Sequence, residues 1–314
     1  MLRAALVALL AGLLPAQSRI ALQAAAARAH TSHEPDPTVR NPDWLADPFL
    51  GPDEIALLDN HPIARAVNQD YRIGNLDPDV VAVSRPVLVR TRFIDERLQR
   101  ALRDGVTQVV ILNAGLDTRA YRFRALLEGK RVIEIDDAAT QALKKRRVLQ
   151  VLGALPPNVT YAVSLATSGY KPGEPSFFIW EGAAVHRPES AVREMLREIA
   201  QALDKSAPGS SLVMDFVWKS LLDKTARDPA APQTRWDAGI FGEPWLFGVP
   251  YGQSDKFFRE LGLDPGELLE TNSREAEQRY LTRRDGTKFG PLPNAPGSGN
   301  EEFLGVVCAE LKPL

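Results

Sequence analysis

Two short stretches of the chain hold residues whose types and spacing could do chemistry. The apolar run Gln108-Val-Val-Ile-Leu112 opens into Asn113-Ala-Gly-Leu-Asp-Thr118, and Arg131-Val-Ile-Glu-Ile-Asp136 ends in an acid about twenty residues after that turn. Ala114 and Gly115 are small enough to let a ligand approach the backbone, and Gly115 can take dihedrals closed to other residues. A carboxylate at the place of Asp136 can accept hydrogen bonds from both hydroxyls of a ribose, so the pair points to a nucleoside ligand. Two plainer readings stand beside it. The first stretch could be an ordinary strand-to-helix turn, and Asp136 or Asp137 could cap the helix that follows at Ala138. A dinucleotide would want Gly-x-Gly-x-x-Gly, but Asn113 holds the first glycine place and Arg119 the third. An adenosine cofactor without phosphates asks less of the turn.

The elements that must position these groups follow from hydrophobic period. The two apolar runs lie a helix-length apart, as in a βαβ unit. Tyr161 to Leu165, Ser176 to Trp180 and Ser210 to Val217 extend the series, with helical Asp137 to Leu152 and Glu189 to Leu203 between them. This predicts an α/β fold, a mainly parallel sheet with helices on both faces. Near the C-terminus, Gln278 to Arg284 and Phe303 to Leu311 are strand candidates with no helix between them, which predicts an antiparallel pair closing one sheet edge. Upstream, Pro86 to Asp104 has the apolar face of an amphipathic helix, and Arg19 to Arg28 is Ala-rich before prolines break it. The expected division is an apolar leader over 1–17, a helical extension or lid over 18–105, and a core over 106–314 with an insert at about 218–251. The insert carries Trp218, Trp236, Phe241, Trp245, Phe247 and Tyr251, which suits either a loop-built substrate pocket or a satellite core.

Composition narrows the partners. The 314 residues carry a net charge of -2, which gives no overall electrostatic reason to bind nucleic acid or an anionic membrane. Residues 1–16 have the basic start and short apolar run of a signal peptide, yet the run is too short to span a bilayer. A cytoplasmic location is favoured, with export through the leader as the alternative. The single cysteine, Cys308, excludes an internal disulfide framework and reads as a buried strand thiol.

Four ordered segments, Arg90-Thr-Arg92-Phe-Ile-Asp95, Val109 to Phe123 with its Leu116-Asp-Thr-Arg-Ala-Tyr-Arg122 string, Glu134-Ile-Asp136 and Phe178-Ile-Trp-Glu-Gly182, resemble the motifs of the leucine carboxyl methyltransferase family, in particular its bacterial members. The resemblance runs from about Ser18 to the C-terminus. It implies a class I methyltransferase Rossmann-like sheet with a terminal antiparallel strand, and S-adenosylmethionine (SAM) as cofactor. It also implies that Arg92 pairs with the methionyl carboxylate, Gly115 lets the cofactor lie on the turn, Asp136 holds the ribose, and Glu181 lines the pocket near the sulfonium.

Three departures from the family pattern stand out. Asn113 replaces the usual glycine of the first turn. Ser164-Leu165 stands where Asp-Leu is common, so the group facing the adenine amino is shorter and uncharged. His186-Arg187-Pro188 replaces Tyr-Leu-Pro close to where an acceptor would enter. His186 is favoured as a surface or helix-capping residue, with a general base for a hydroxyl acceptor as the other reading, since the unperturbed imidazole value lies near neutrality. The expected reaction is in-line transfer of a methyl group to a carboxylate, or else a hydroxyl, of a small molecule or protein. A degenerate domain serving as a binding module and an NAD(P)-dependent enzyme are the alternatives.

Overall fold

The computed structural model describes residues 16–58, 78–223, 244–290 and 306–314; most of the leader, Trp236 and Phe241 lie outside them. Seven strands form one sheet in the order β3-β2-β1-β4-β5-β7-β6. They are β1 (Gln108–Leu112), β2 (Arg131–Ile135), β3 (Val159–Ala162), β4 (Ser176–Trp180), β5 (Ser211–Phe216), β6 (Leu263–Glu270) and β7 (Val307–Pro313). The first five are mutually parallel, and β7 runs antiparallel to both β5 and β6. The chain winds outward from β1 to β3 and then returns to place β4 on the other side of β1. The switch between β1 and β4 opens a crevice at their carboxyl ends, the usual seat of a ligand in such sheets.

The strands read as apolar runs because both sheet faces are covered. Every residue of β1, β4 and β5 is buried. Val109 and Ile111 join a cluster with the helices α1 (Ala16–Ser32) and α2 (Pro78–Arg103), whereas Val110 and Leu112 join one with α4 (Glu189–Asp204). Leu22, Ala25, Ala29, Val39 and Phe49 belong to the same apolar cluster as β1, so the N-terminal extension shares the core of the sheet. The helix α3 (Ala138–Leu152) starts on Asp137, whose side chain accepts from the backbone N–H of Ala139 and Thr140, and stops at Gly153 with φ +81°. The cap is therefore Asp137, and Asp136 is left for another role.

Two expectations need correction. Gln278 to Arg284 is no strand: Arg274–Tyr280 forms a helix, α5, capped by the Ser273 hydroxyl and buried through Ala276 and Tyr280. The strand beside β7 comes earlier, and its Pro265 and Gly266 hid it. A proline is tolerated there because β6 is the sheet edge, and the register shifts between Pro265 and Glu267. The helix expected from Pro86 begins at Pro78 and runs through that proline, held by buried Leu88, Val89, Phe93, Ile94 and Leu98. Among the described residues no helix is long and apolar enough to cross a membrane, and no group of three or more His, Cys, Asp or Glu is placed to hold a metal ion.

Candidate functional site

After β1 the backbone turns through Asn113 (φ +50°) and Gly115 (φ +43°). Asparagine is one of the few side-chain-bearing residues that enter the left-handed region readily, so Asn113 satisfies the demand that glycine usually meets. Its Oδ1 accepts a hydrogen bond from the Trp180 indole at 3.1 Å, tying the end of β1 to the end of β4 across the switch. At Gly115 a Cβ would lie 2.9 Å from the Ala21 side chain of α1, so helix and turn approach as closely as they do only because this residue is glycine. Replacing Asn113 with glycine should keep the turn but strand the buried indole N–H. Urea unfolding should show a loss of about 1 kcal/mol.

Asp136 binds this turn from the neighbouring strand end. Its Oδ2 accepts from the Gly115 N–H at 2.7 Å and its Oδ1 from the Asp137 N–H at 2.8 Å. Burial pushes the Asp136 carboxyl up, and these two N–H groups oppose it. Each carboxylate oxygen has two lone pairs, so both can accept once more. Beneath the turn, Lys144 reaches the Ala114 carbonyl and pairs with buried Glu134 at 2.8 Å.

A cavity of about 310 Å³ opens over the switch. Asn113, Gly115, Asp117 and Asp136 line it from the β1 and β2 ends, Arg28 and Arg90 from α1 and α2, and Glu181, His186, Arg187 and Leu246 from the β4 side and the insert. Trp218, the other end of that insert, is buried against Phe216 and under Tyr251, in the same apolar cluster as the central strands, so this part packs on the main core and does not line the cavity.

Behind the cavity lies a buried ionic network, and it accounts for the string Leu116 to Arg122. Arg119 donates to Asp95 at 2.7 Å, to Glu181 at 2.6 Å, and to Asp117. The other Glu181 oxygen accepts from Arg90 at 2.8 Å, and Arg90 also reaches Asp215 at 2.9 Å. Arg122 donates to Asp95, and Thr118 to Asp43. Arg28 binds the same Asp43 at 2.7 Å and the Leu116 carbonyl at 2.9 Å. Burial pushes the Glu181 carboxyl up, but Arg119 and Arg90 outweigh it and hold the group well below the usual carboxylate range. Glu181 therefore presents a fixed anion to the cavity. The string is mostly the hub that clamps α1, α2 and β4 around the turn.

Of the residues singled out in the sequence, Asn113, Gly115, Asp136 and Glu181 meet at this cavity. Arg92 does not: its guanidinium donates to the carbonyls of Pro37 and Arg40, on the extension. Arg90 lines the cavity in its place. Two positions on a helix point about 200° apart, so only one of the two arginines can face the strand ends, and the sequence could not say which. Ser164 and Leu165 are not among the lining residues. They follow β3, the sheet edge, where Ser164 Oγ lies 2.9 Å from Thr167 Oγ1 and Leu165 packs on the core below. Arg28 was missed, since no motif marks an arginine within an Ala-rich helix, and Arg187 stood out only as part of a departure from the family pattern, with no role of its own.

The leucine carboxyl methyltransferase family model matches residues 21–200. A Streptomyces avermitilis protein named as an S-adenosyl-L-methionine-dependent methyltransferase is 30% identical over 211 residues, covering 63% of this chain and 73% of its own length. One from Mycolicibacterium smegmatis, of the same name, is 34% identical over 212 residues, covering 64% and 67%. Among solved structures, magnesium protoporphyrin IX methyltransferase from Synechocystis, with bound SAH, is 13% identical with a TM-score of 0.44, covering 74% of this chain and 87% of its own.

Proposed function

We propose, from the premise that this chain belongs to the leucine carboxyl methyltransferase family and is a SAM-dependent methyltransferase, that its methyl acceptor is a carboxylate oxygen on a small molecule or a protein. Family membership decides for SAM over a dinucleotide. The observation that supports the site assignment is Asp136, buried against the first turn with both oxygens fixed by backbone N–H groups and each still able to accept.

The residues present fit the cofactor. Gly115 lines the cavity at the turn, its missing Cβ giving room to Ala21 of α1, and Asp136 would accept from the two ribose hydroxyls. Arg90 has Nε and Nη1 committed to Glu181 and Asp215, while its Nη2 has no hydrogen-bond partner among the described residues, which suits it to the methionyl carboxylate. Glu181 supplies a fixed negative charge for a cationic centre. SAM, when bound, offers an electrophilic methyl group on a sulfonium sulfur. What the chain contributes is alignment of acceptor oxygen, methyl carbon and sulfur, and exclusion of water, with α1 closing over the turn at Ala21.

A carboxylate acceptor needs no base, because it is already ionised at neutral pH. With acceptor in hand, kcat should stay flat from about pH 6 to 9. A hydroxyl acceptor is the second reading, favoured by His186 at the cavity wall, and it predicts instead a rate that rises with pH. Calorimetric titration with SAM tests the foundation of both. No heat or thermal shift at millimolar SAM would leave the binding-module reading standing.

A further inference from the structure

The arginines that line the cavity differ in how their charge is answered. Arg28 is paired with Asp43, and Arg90 with Glu181 and Asp215. Arg187 lines the same cavity half-buried, and its guanidinium makes no ion pair and no hydrogen bond among the described residues. Partial burial without a partner costs a charged group hydration that nothing in the protein returns, unless a ligand does.

The mount of this arginine is fixed. Its backbone N–H donates to the Ala184 carbonyl at 3.1 Å. The buried Val185 carbonyl accepts from both the Leu246 and Phe247 N–H, fastening the turn Ala184–His186 to the segment that brings Pro244 and Leu246 to the cavity. A planar cationic fork thus lines the same cavity as the apolar side chains of Pro244 and Leu246. That combination matches a ligand with a carboxylate on an apolar body.

We propose that Arg187 recognises the methyl acceptor by pairing with its carboxylate while the apolar body of the acceptor lies against Pro244 and Leu246. This rests on the carboxylate reading above. One carboxylate oxygen is held by the guanidinium and the other attacks. The O–CH3 bond forms as the CH3–S bond breaks, the pair from the broken bond stays on sulfur, and no proton moves. Anion and sulfonium become a neutral ester and a neutral thioether, so the product no longer pairs with Arg187 and is released.

The test is calorimetry on the full chain saturated with S-adenosylhomocysteine. The probes are benzoate, octanoate and a hexapeptide with a free C-terminal leucine, each beside its primary amide. At least one carboxylate should bind about tenfold or more tightly than its amide. Arg187→Leu should erase that difference, Arg187→Lys should keep part of it, and both should bind S-adenosylhomocysteine within about twofold of the parent, which also certifies their fold. Which probe wins separates a small acid from a protein C-terminus. The proposal is overturned if no carboxylate is preferred over its amide, or if Arg187→Leu retains the preference. It is also overturned if that variant loses S-adenosylhomocysteine, which would make Arg187 a cofactor residue. A parent protein that binds no S-adenosylhomocysteine overturns the underlying methyltransferase site, and this proposal with it.

Discussion

Asp136→Ala should weaken SAM binding by about a hundredfold or more, read by calorimetry. Two hydrogen bonds from ribose hydroxyls to a charged acceptor are worth about 1.5–3 kcal/mol each, and about 1.4 kcal/mol is a factor of ten. A second effect adds to the first. The same carboxylate accepts the Gly115 and Asp137 N–H groups, so alanine also releases the turn against which the nucleoside would lie. Asp136→Asn separates the two contributions. Its one remaining carbonyl oxygen can serve only one of those N–H groups, and the charge is gone, but the shape is kept. Urea unfolding should report about 1–2 kcal/mol for it, while SAM affinity should still fall at least about tenfold. Retention of parental affinity in both variants would remove Asp136 from the cofactor site.

What the sequence showed and hid follows from where the physical constraints act. The strands β1, β2, β4 and β5 were legible because burial on both faces forces near-continuous apolar runs, broken inside only by Glu134 in β2 and Asp215 in β5. At the sheet edge that force disappears. Edge strand β6 carries Pro265 and Gly266, and the helix after it, with Tyr280, Leu281 and Thr282 at its end, imitates a strand. Gly115 and Asp136 could be found because one βαβ unit fixes their spacing. Arg90 could not be told from Arg92, since both sit in one motif and only the helix phase separates them. The string from Leu116 to Arg122 was recognisable but its work was not. Asp43, Asp95 and Glu181, which answer its arginines and its threonine, come from three distant segments, and one sequence does not reveal such pairings.

That string carries the largest expected stability effect. Arg119→Met keeps length and apolar bulk but removes a buried charge that three carboxylates share, at Asp95, Asp117 and Glu181. Breaking a buried ion pair from one side costs about 3–5 kcal/mol, because the partner left behind is a desolvated, unpaired charge. The loss is not equal at the three acids. Asp95 keeps Arg122 and Glu181 keeps Arg90, whereas Asp117 has no other ion-pair partner among the described residues. Adding Asp117→Asn to Arg119→Met should therefore recover part of the loss, and Arg119→Lys, which keeps charge but not the fork, should fall between parent and Arg119→Met. The pH dependence has a definite sign. In the parent, Glu181 is held below its ordinary range, so its contribution is full above the unfolded carboxylate value and is lost as pH falls through the depressed folded one. Without Arg119 the largest opposition to burial is gone and the folded value rises. The stability gap between parent and Arg119→Met should accordingly be widest near pH 7 and narrow as pH drops below about 4.5 in urea titrations. A gap that stays constant with pH would mean that Arg119 acts by packing alone and that Glu181 owes its charge to Arg90.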